Sequence, residues 1–454
     1  MTNENGRLDL EAARESLRGK SGRAYWRSLE EVADTPAFQR WVDDEFPNRS
    51  TLLQLNRRDM LKFMGASMAL AGLSGCRSVF LPQERVVPYV KAPEELVPGV
   101  PLFYATSVEL SGYGTGVLVE QHEGRPTKLE GNPDHPASLG ALDYFSQAEL
   151  LNMYDPERLA DVSVKGISGQ EGDISSWEQF TREILPLLAE GGVAVLTGAV
   201  GSPTLAAQYL AFQAKYPEAR FYSYEPFSKA NERSGLQAAF GRPLEAVYDF
   251  SAADVIVSID GDFLSPAHAP GASLRYSRDF ASKRKVQGTA GTMHRVYSFE
   301  PAPTLVGTMA DHRWPVKPGD LAAVVALLGA AVGASVPTAE LPAGIDQSHL
   351  AAVADDLRTN VGSAIVVAGP HLSADIHAMV AAINGLLRAP VRYIPPVDQM
   401  AGRPGLSQLV NDAKAGEIKS LLVMGGNPVL TAPSDIDIAG AMQSIPTTVY
   451  FGME

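Results

Sequence analysis

The chain reads as an α/β protein: a small β-rich first domain at 101–160, then parallel-sheet α/β domains at 161–454. Three observations predict this. Short apolar runs such as Val193–Thr197 (VAVLT), 254–259 (DVIVSI) and Ser420–Met424 (SLLVM) alternate with helical stretches, as parallel strands covered on both faces do. Before about Ser175 the pattern is different, with short strand-like segments separated by glycine turns. Finally, 454 residues with 45% hydrophobic content suffice for two or three domains and a sizeable core.

Taken in order, 102–107 and 117–121 read as strands separated by a flexible SGYGTG loop at 111–116. A turn at Glu123-Gly124-Arg125 leads to a third strand near 127–130, which makes a β-meander. A loop over 130–136 precedes a helix at 148–153. Helix Trp177–Ala189, strand Val193–Thr197 and helix 204–215 follow, the last two joined by Gly198-Ala199-Val200-Gly201-Ser202-Pro203. Strands at 254–259 and 295–299, helix Leu321–Val332, strand 364–367 and helix 374–387 come next. Strand Ser420–Met424 ends on Gly425-Gly426-Asn427-Pro428. Ligands of such sheets bind at the carboxyl ends of strands, where these glycine loops sit. Gly198-x-x-Gly201 and Gly425-Gly426 could each bring bare backbone to a phosphate, or serve only the geometry of strand-to-helix turns.

Ahead of this body lie three segments. Residues 1–56 are a polar lead-in with short helical patterns at 25–32 and 37–46. Residues 57–76, RRDMLKFMGASMALAGLSGC, carry Arg57 and Arg58 and then a run of 14 residues, 63–76, without a charge. That run is too short for a transmembrane helix and reads as an export signal of the twin-arginine type. Leu73-Ser74-Gly75-Cys76 has the form of a lipobox, so Cys76 is the expected lipid anchor. Residues 77–100, rich in Pro, Val and Glu, read as a tether. The expected location is the periplasmic side of the cytoplasmic membrane.

Charge and cysteine content exclude whole classes of function. A net charge of -14 without a Lys/Arg cluster argues against nucleic acid. One cysteine permits no internal disulfide, iron–sulfur cluster or thiolate zinc site. The eight histidines are scattered, without HxxxH or HExxH.

The stretch GRPTKLEGNPDHP at 124–136, with YDPERL at 154–159 and LLVMGGNP at 421–428, resembles the large subunit of molybdopterin oxidoreductases. The resemblance implies a β-rich domain that holds an iron–sulfur cluster, and α/β domains that hold a pterin. Aligned on Gly124, its four cluster positions fall at Val108, Ser111, Thr115 and Asp143, none a cysteine. The metal-ligand position falls near Phe227–Ser228, where Ser228 could be a ligand or the cap of the following helix. The loop Gly425, Gly426, Asn427, Pro428 is of the pterin type.

The pre-arginine region, RRDMLKFMGAS, SGYGTG, YEPFSKANE (224–232) and HRVYSFEPAPTLVGTMADHRWPVKPGD (294–320) together resemble the B subunits of alternative complex III, a quinol-oxidising respiratory complex. That resemblance implies a scaffold without cofactors in this segment. It also implies [3Fe–4S] and [4Fe–4S] clusters in a ferredoxin-like half, missing here or carried by a separate chain. The implied partners are an integral membrane quinol-oxidising subunit and multihaem and monohaem cytochrome c subunits. The sequence ends before any cysteine-rich half and before a C-terminal β-barrel domain, the expectation for a fragment or a split subunit. Two other readings stay open: an active molybdopterin oxidoreductase fragment with Ser228 as ligand, and a lipoprotein that binds a small solute between its α/β lobes.

Overall fold

A computed structural model describes residues 96–97, 99–159, 161–164, 173–286 and 292–453, with 15, 18, 19, 35, 36 and 38. Arg57, Arg58, Cys76 and nearly all of the tether lie outside the described residues. Contacts divide the chain into Met1–Ala92 and Pro93–Glu454, and the elements described below lie in the second unit.

The β-rich part is a three-stranded antiparallel meander of β1 (Leu102–Leu110), β2 (Tyr113–His122) and β3 (Arg125–Gly131). Its first turn corrects the flexible loop expected from SGYGTG. Tyr113, Gly114, Thr115 and Gly116 belong to β2, and only Ser111-Gly112 turns, with φ of 51° and 84°. Left-handed backbone at both positions matches the right-handed twist of the flanking strands and tightens the hairpin. Helix α1 (Tyr144–Asn152) lies across one face, touching β3 and β1. It begins four residues before the expected 148 because Asp143 caps it, accepting from the Ser146 amide at 2.9 Å and hydroxyl at 2.6 Å.

After the short pair β4 (Ser163–Val164) and β5 (Asp173–Ile174), the α/β pattern begins. Helix α2 (Trp177–Ala189) starts on Ser176, β6 (Val193–Thr197) is buried throughout, and α3 (Pro203–Lys215) starts on Ser202 with proline at its first position. Then come β7 (Arg220–Ser223), α4 (Ala230–Phe240), β8 (Glu245–Tyr248), β9 (Val255–Ile259) and α5 (Ser273–Arg284). They are followed by β10 (Arg295–Glu300), α6 (Leu305–Met309), β11 (His312–Pro315), α7 (Leu321–Val332), α8 (Gln347–Thr359) and β12 (Ala364–Ala368). The chain closes with α9 (Ala374–Leu386), β13 (Val391–Ile394), α10 (Leu406–Lys414), β14 (Ser420–Met424), α11 (Pro428–Thr431), α12 (Ile438–Ser444) and β15 (Thr447–Phe451).

Two four-stranded parallel sheets result, ordered β11-β10-β9-β12 and β15-β14-β6-β7, and β8 pairs antiparallel with β13. The first sheet packs Val257, Phe299 and Val366 against Leu321, Leu357 and Ile383 on one face, and Ile256 and Ile365 against Phe250 and Phe280 on the other. The second packs Leu421 and Val423 against Leu409 and Ile438, and Val195 and Phe221 against Leu188 and Phe212. The inner strands of both sheets are therefore buried on two faces, which is why they read as predominantly apolar runs.

The second sheet is interrupted. The chain leaves it after β7, builds the first sheet, and returns at β14 on the other side of β6. The strand order reverses between β6 and β14, and a crevice opens at their carboxyl ends.

Candidate functional site: the cleft between the β6 and β14 loops

A cleft of about 420 Å³ lies there, lined by both glycine loops named from the sequence. Gly425 and Gly426 have φ of 74° and 67°, so they carry the chain through left-handed backbone that L side chains rarely adopt. Asn427 then caps α11 through the Leu430 amide at 3.2 Å, and Pro428 takes the first helical position. The GGNP stretch is thus a complete strand-to-helix turn without any ligand.

The opposite wall is Gly198–Gly201, and here the hairpin decides the geometry. A Cβ on Gly201 would sit 1.7 Å from the Gly112 carbonyl oxygen, and one on Gly112 would meet Ala199 Cβ at 2.9 Å. The bare backbone of Gly201 faces protein, so this glycine serves packing rather than a phosphate. The Ala199 amide donates to Glu225 Oε2 at 3.2 Å, and the Val200 amide to Asp398 Oδ1 at 2.9 Å. Glu225 Oε1 also accepts the Ser111 hydroxyl at 3.4 Å.

A phosphate-bearing pterin, the group that the fold type implies, needs cations or free amides at such a loop. Here two of the amides already face carboxylates, Glu109 and Glu225 line the cleft, and no Lys or Arg does. Burial pushes both carboxyls above the usual range. This donor set does not suit an anionic diphosphate.

Beside the cleft the tip of the meander wedges between the two α/β sheets. Tyr113 packs on Gly271, where a Cβ would come within 2.6 Å of Tyr113 Cβ, and its hydroxyl donates to Glu245. Arg233 joins the two sides, with Nε 2.9 Å from Glu245 and a terminal nitrogen 3.2 Å from Asp398. Glu245 and Asp398 are buried. Tyr113 stays a phenol well beyond its ordinary range, because burial and the Glu245 carboxylate both oppose its anion.

The positions inferred from resemblance take ordinary structural places. Val108 and Thr115 face each other across the β1–β2 ladder, Ser111 turns the hairpin, and Asp143 caps α1. Ser228 Oγ accepts the Ala230 amide at 3.0 Å as α4 opens, and it lines an adjoining void of about 90 Å³ with Lys229, Arg233 and Asp398, which shares Ser111, Ala199 and Glu225 with the cleft. Among the described residues, no three His, Cys, Asp or Glu side chains are arranged to hold a metal ion, and no helix is long and apolar enough to cross a membrane.

Sequence reasoning missed Glu225, Arg233, Glu245 and Asp398. Each comes from a different segment of the chain, and no local pattern in the sequence marks them.

No family model matches the chain. A curated relative, the menaquinone reductase, molybdopterin-binding-like subunit of Nitratidesulfovibrio vulgaris (Hildenborough), is 25% identical over 459 aligned positions. The alignment covers 88% of this chain and 63% of that protein, so the chain spans less than two thirds of the relative's length. Acetylene hydratase from Pelobacter acetylenicus superposes with a TM-score of 0.56 at 13% identity, covering 76% of this chain and 60% of that one. The chain has a molybdopterin oxidoreductase-like fold. At such identities the likeness extends to the fold alone, a small antiparallel sheet with parallel α/β sheets.

Proposed function

We propose that this chain is a non-catalytic scaffold subunit of a membrane-bound, quinol-linked respiratory oxidoreductase, of the alternative complex III type. The observation that carries the reading is the cleft itself, where Glu225 holds the amide that a phosphate would need. The relative's name, a molybdopterin-binding-like subunit of a menaquinone reductase, supports a place in quinone-linked electron transfer. On this reading the chain positions iron–sulfur and cytochrome c partners against a membrane subunit that handles the quinol. The [3Fe–4S] and [4Fe–4S] clusters belong to the ferredoxin-like partner or half. Arg57 and Arg58 direct export by the twin-arginine route, and an acylated Cys76 tethers the mature chain on the periplasmic side.

Elemental analysis of the purified chain tests the central claim. No stoichiometric molybdenum, tungsten or iron is expected, and Ser228→Ala leaves quinol oxidation by the assembled complex unchanged. One equivalent of molybdenum, or lost turnover in an assembled Ser228→Ala complex, would make the chain catalytic. Mass spectrometry of the same preparation reads the anchor: an intact residue 1 with a free Cys76 thiol would remove the lipoprotein assignment.

A further inference from the structure

The meander ends in an open edge. In the order β1-β2-β3, β1 has a partner on one side only, and no backbone group of Leu102–Leu110 bonds to anything but β2 among the described residues. Nine residues of strand offer an unpaired ladder of about 30 Å. Proteins usually blunt such an edge with lysine, proline or a bulge. LFYATSVEL contains neither residue, and the sheet's bulge lies at Glu120/Gln121 in the β2–β3 pair. Side chains add to the backbone: Phe103 and Tyr104 are 52% and 59% exposed and point to opposite faces. At the other end of the strand, Glu109 has no cation in salt-bridge range among the described residues and stands at the mouth of the acid-lined cleft.

We propose that β1 is the docking edge for an extended segment of a partner subunit, which adds a fourth strand to the meander. The ladder specifies the form of that partner, because only a strand satisfies alternating N–H and C=O groups. Charge and apolarity specify its chemistry. Apolar side chains lie against Phe103 and Tyr104, and a lysine or arginine lies opposite Glu109, where the cleft carboxylates receive it. The proposal rests on the assembly reading above, since it requires a partner chain.

The test is hydrogen exchange on the full chain, alone and in the complex recovered from membranes in mild detergent. The outward-facing amides of Phe103–Val108 should exchange at least tenfold more slowly in the complex, while those paired to β2 change little. Phe103→Lys with Tyr104→Lys, both at exposed positions, should leave the melting temperature of the isolated chain unchanged and reduce the assembled fraction at least tenfold. Recovery of the chain without partners overturns the assembly reading and the partner strand with it. Partners present with unprotected β1 amides overturn the docking edge alone. Protection in the isolated chain at dimer mass assigns the edge to a second copy and overturns the partner segment.

Discussion

Glu225 Oε2 accepts the Ala199 amide at 3.2 Å, so a carboxylate of the protein occupies the anion-facing position of the strand-to-helix loop after β6. A Cβ on Gly198 would come within 3.2 Å of the same oxygen. The loop has the glycine spacing of a phosphate cradle, and Glu225, from the segment after β7, meets its Ala199 amide.

Two Glu225 variants separate the hydrogen bond from the charge. Glu225→Gln retains an acceptor for Ala199 and should be neutral or stabilising at pH 7. Its carboxyl is raised by burial, so the ionised form weakens the fold as pH climbs through the folded value. Glu225→Ala strands the amide and should cost about 1 kcal/mol. Thermal unfolding at pH 7 reads both, and a Gln variant less stable than the Ala variant would refute the charge argument.

Gly201→Ala should be severe. Its methyl would sit 1.7 Å from the Gly112 carbonyl, backbone against backbone, so the hairpin must lift from the second sheet. A loss of roughly 2–4 kcal/mol is expected. Gly114→Ala, with open space around the new methyl, is the control and should change little. Equal melting temperatures for the two variants would mean that the hairpin does not dock there.

Removing Arg233 leaves two buried carboxylates, Glu245 and Asp398, without their shared cation. Arg233→Met should cost roughly 3–5 kcal/mol, because an unpaired buried charge is far more expensive than a lost exposed pair. Denaturant titration measures it. A loss below about 1 kcal/mol would show that water or Lys229, 3.9 Å from Glu245, takes over.

His294 is buried with neither ring nitrogen hydrogen-bonded, and burial, helped by the nearby Arg284, lowers its pKa from 6.5 to about 4. A folded value below the unfolded one means that the unfolded chain binds the extra proton. This contribution is therefore intact above pH 6.5 and lost as pH falls towards 4. His294→Phe, with its ring tilted against Phe280 as the imidazole is, should hold or raise stability at pH 7 and flatten the decline between pH 6.5 and 4. An unchanged acid slope would contradict it.

Local pattern in the sequence determined the fold class. Five-residue runs that are apolar but for a single Ser or Thr require burial on both faces, and Ser176, Ser202 and Asn427 each announce a helix start by an oxygen that accepts an amide of its first turn. The GGNP and Gly198–Gly201 loops were legible as loops because left-handed backbone and close approach both demand glycine. Four-residue strands such as β7, β8, β11 and β13 escaped, since they are short and their burial patterns are mixed, and β8 and β13 also pair across a long stretch of chain. Tertiary structure alone decided what the loops face. Gly201 lies 89 residues from Gly112, and Asp398 lies 198 from Val200 and 165 from Arg233. No periodicity encodes contacts at such separations: they arise when the chain leaves the second sheet after β7, returns at β14, and the meander tip fills the gap. Hence the sequence suggests a phosphate cleft, while packing supplies the carboxylates that line it.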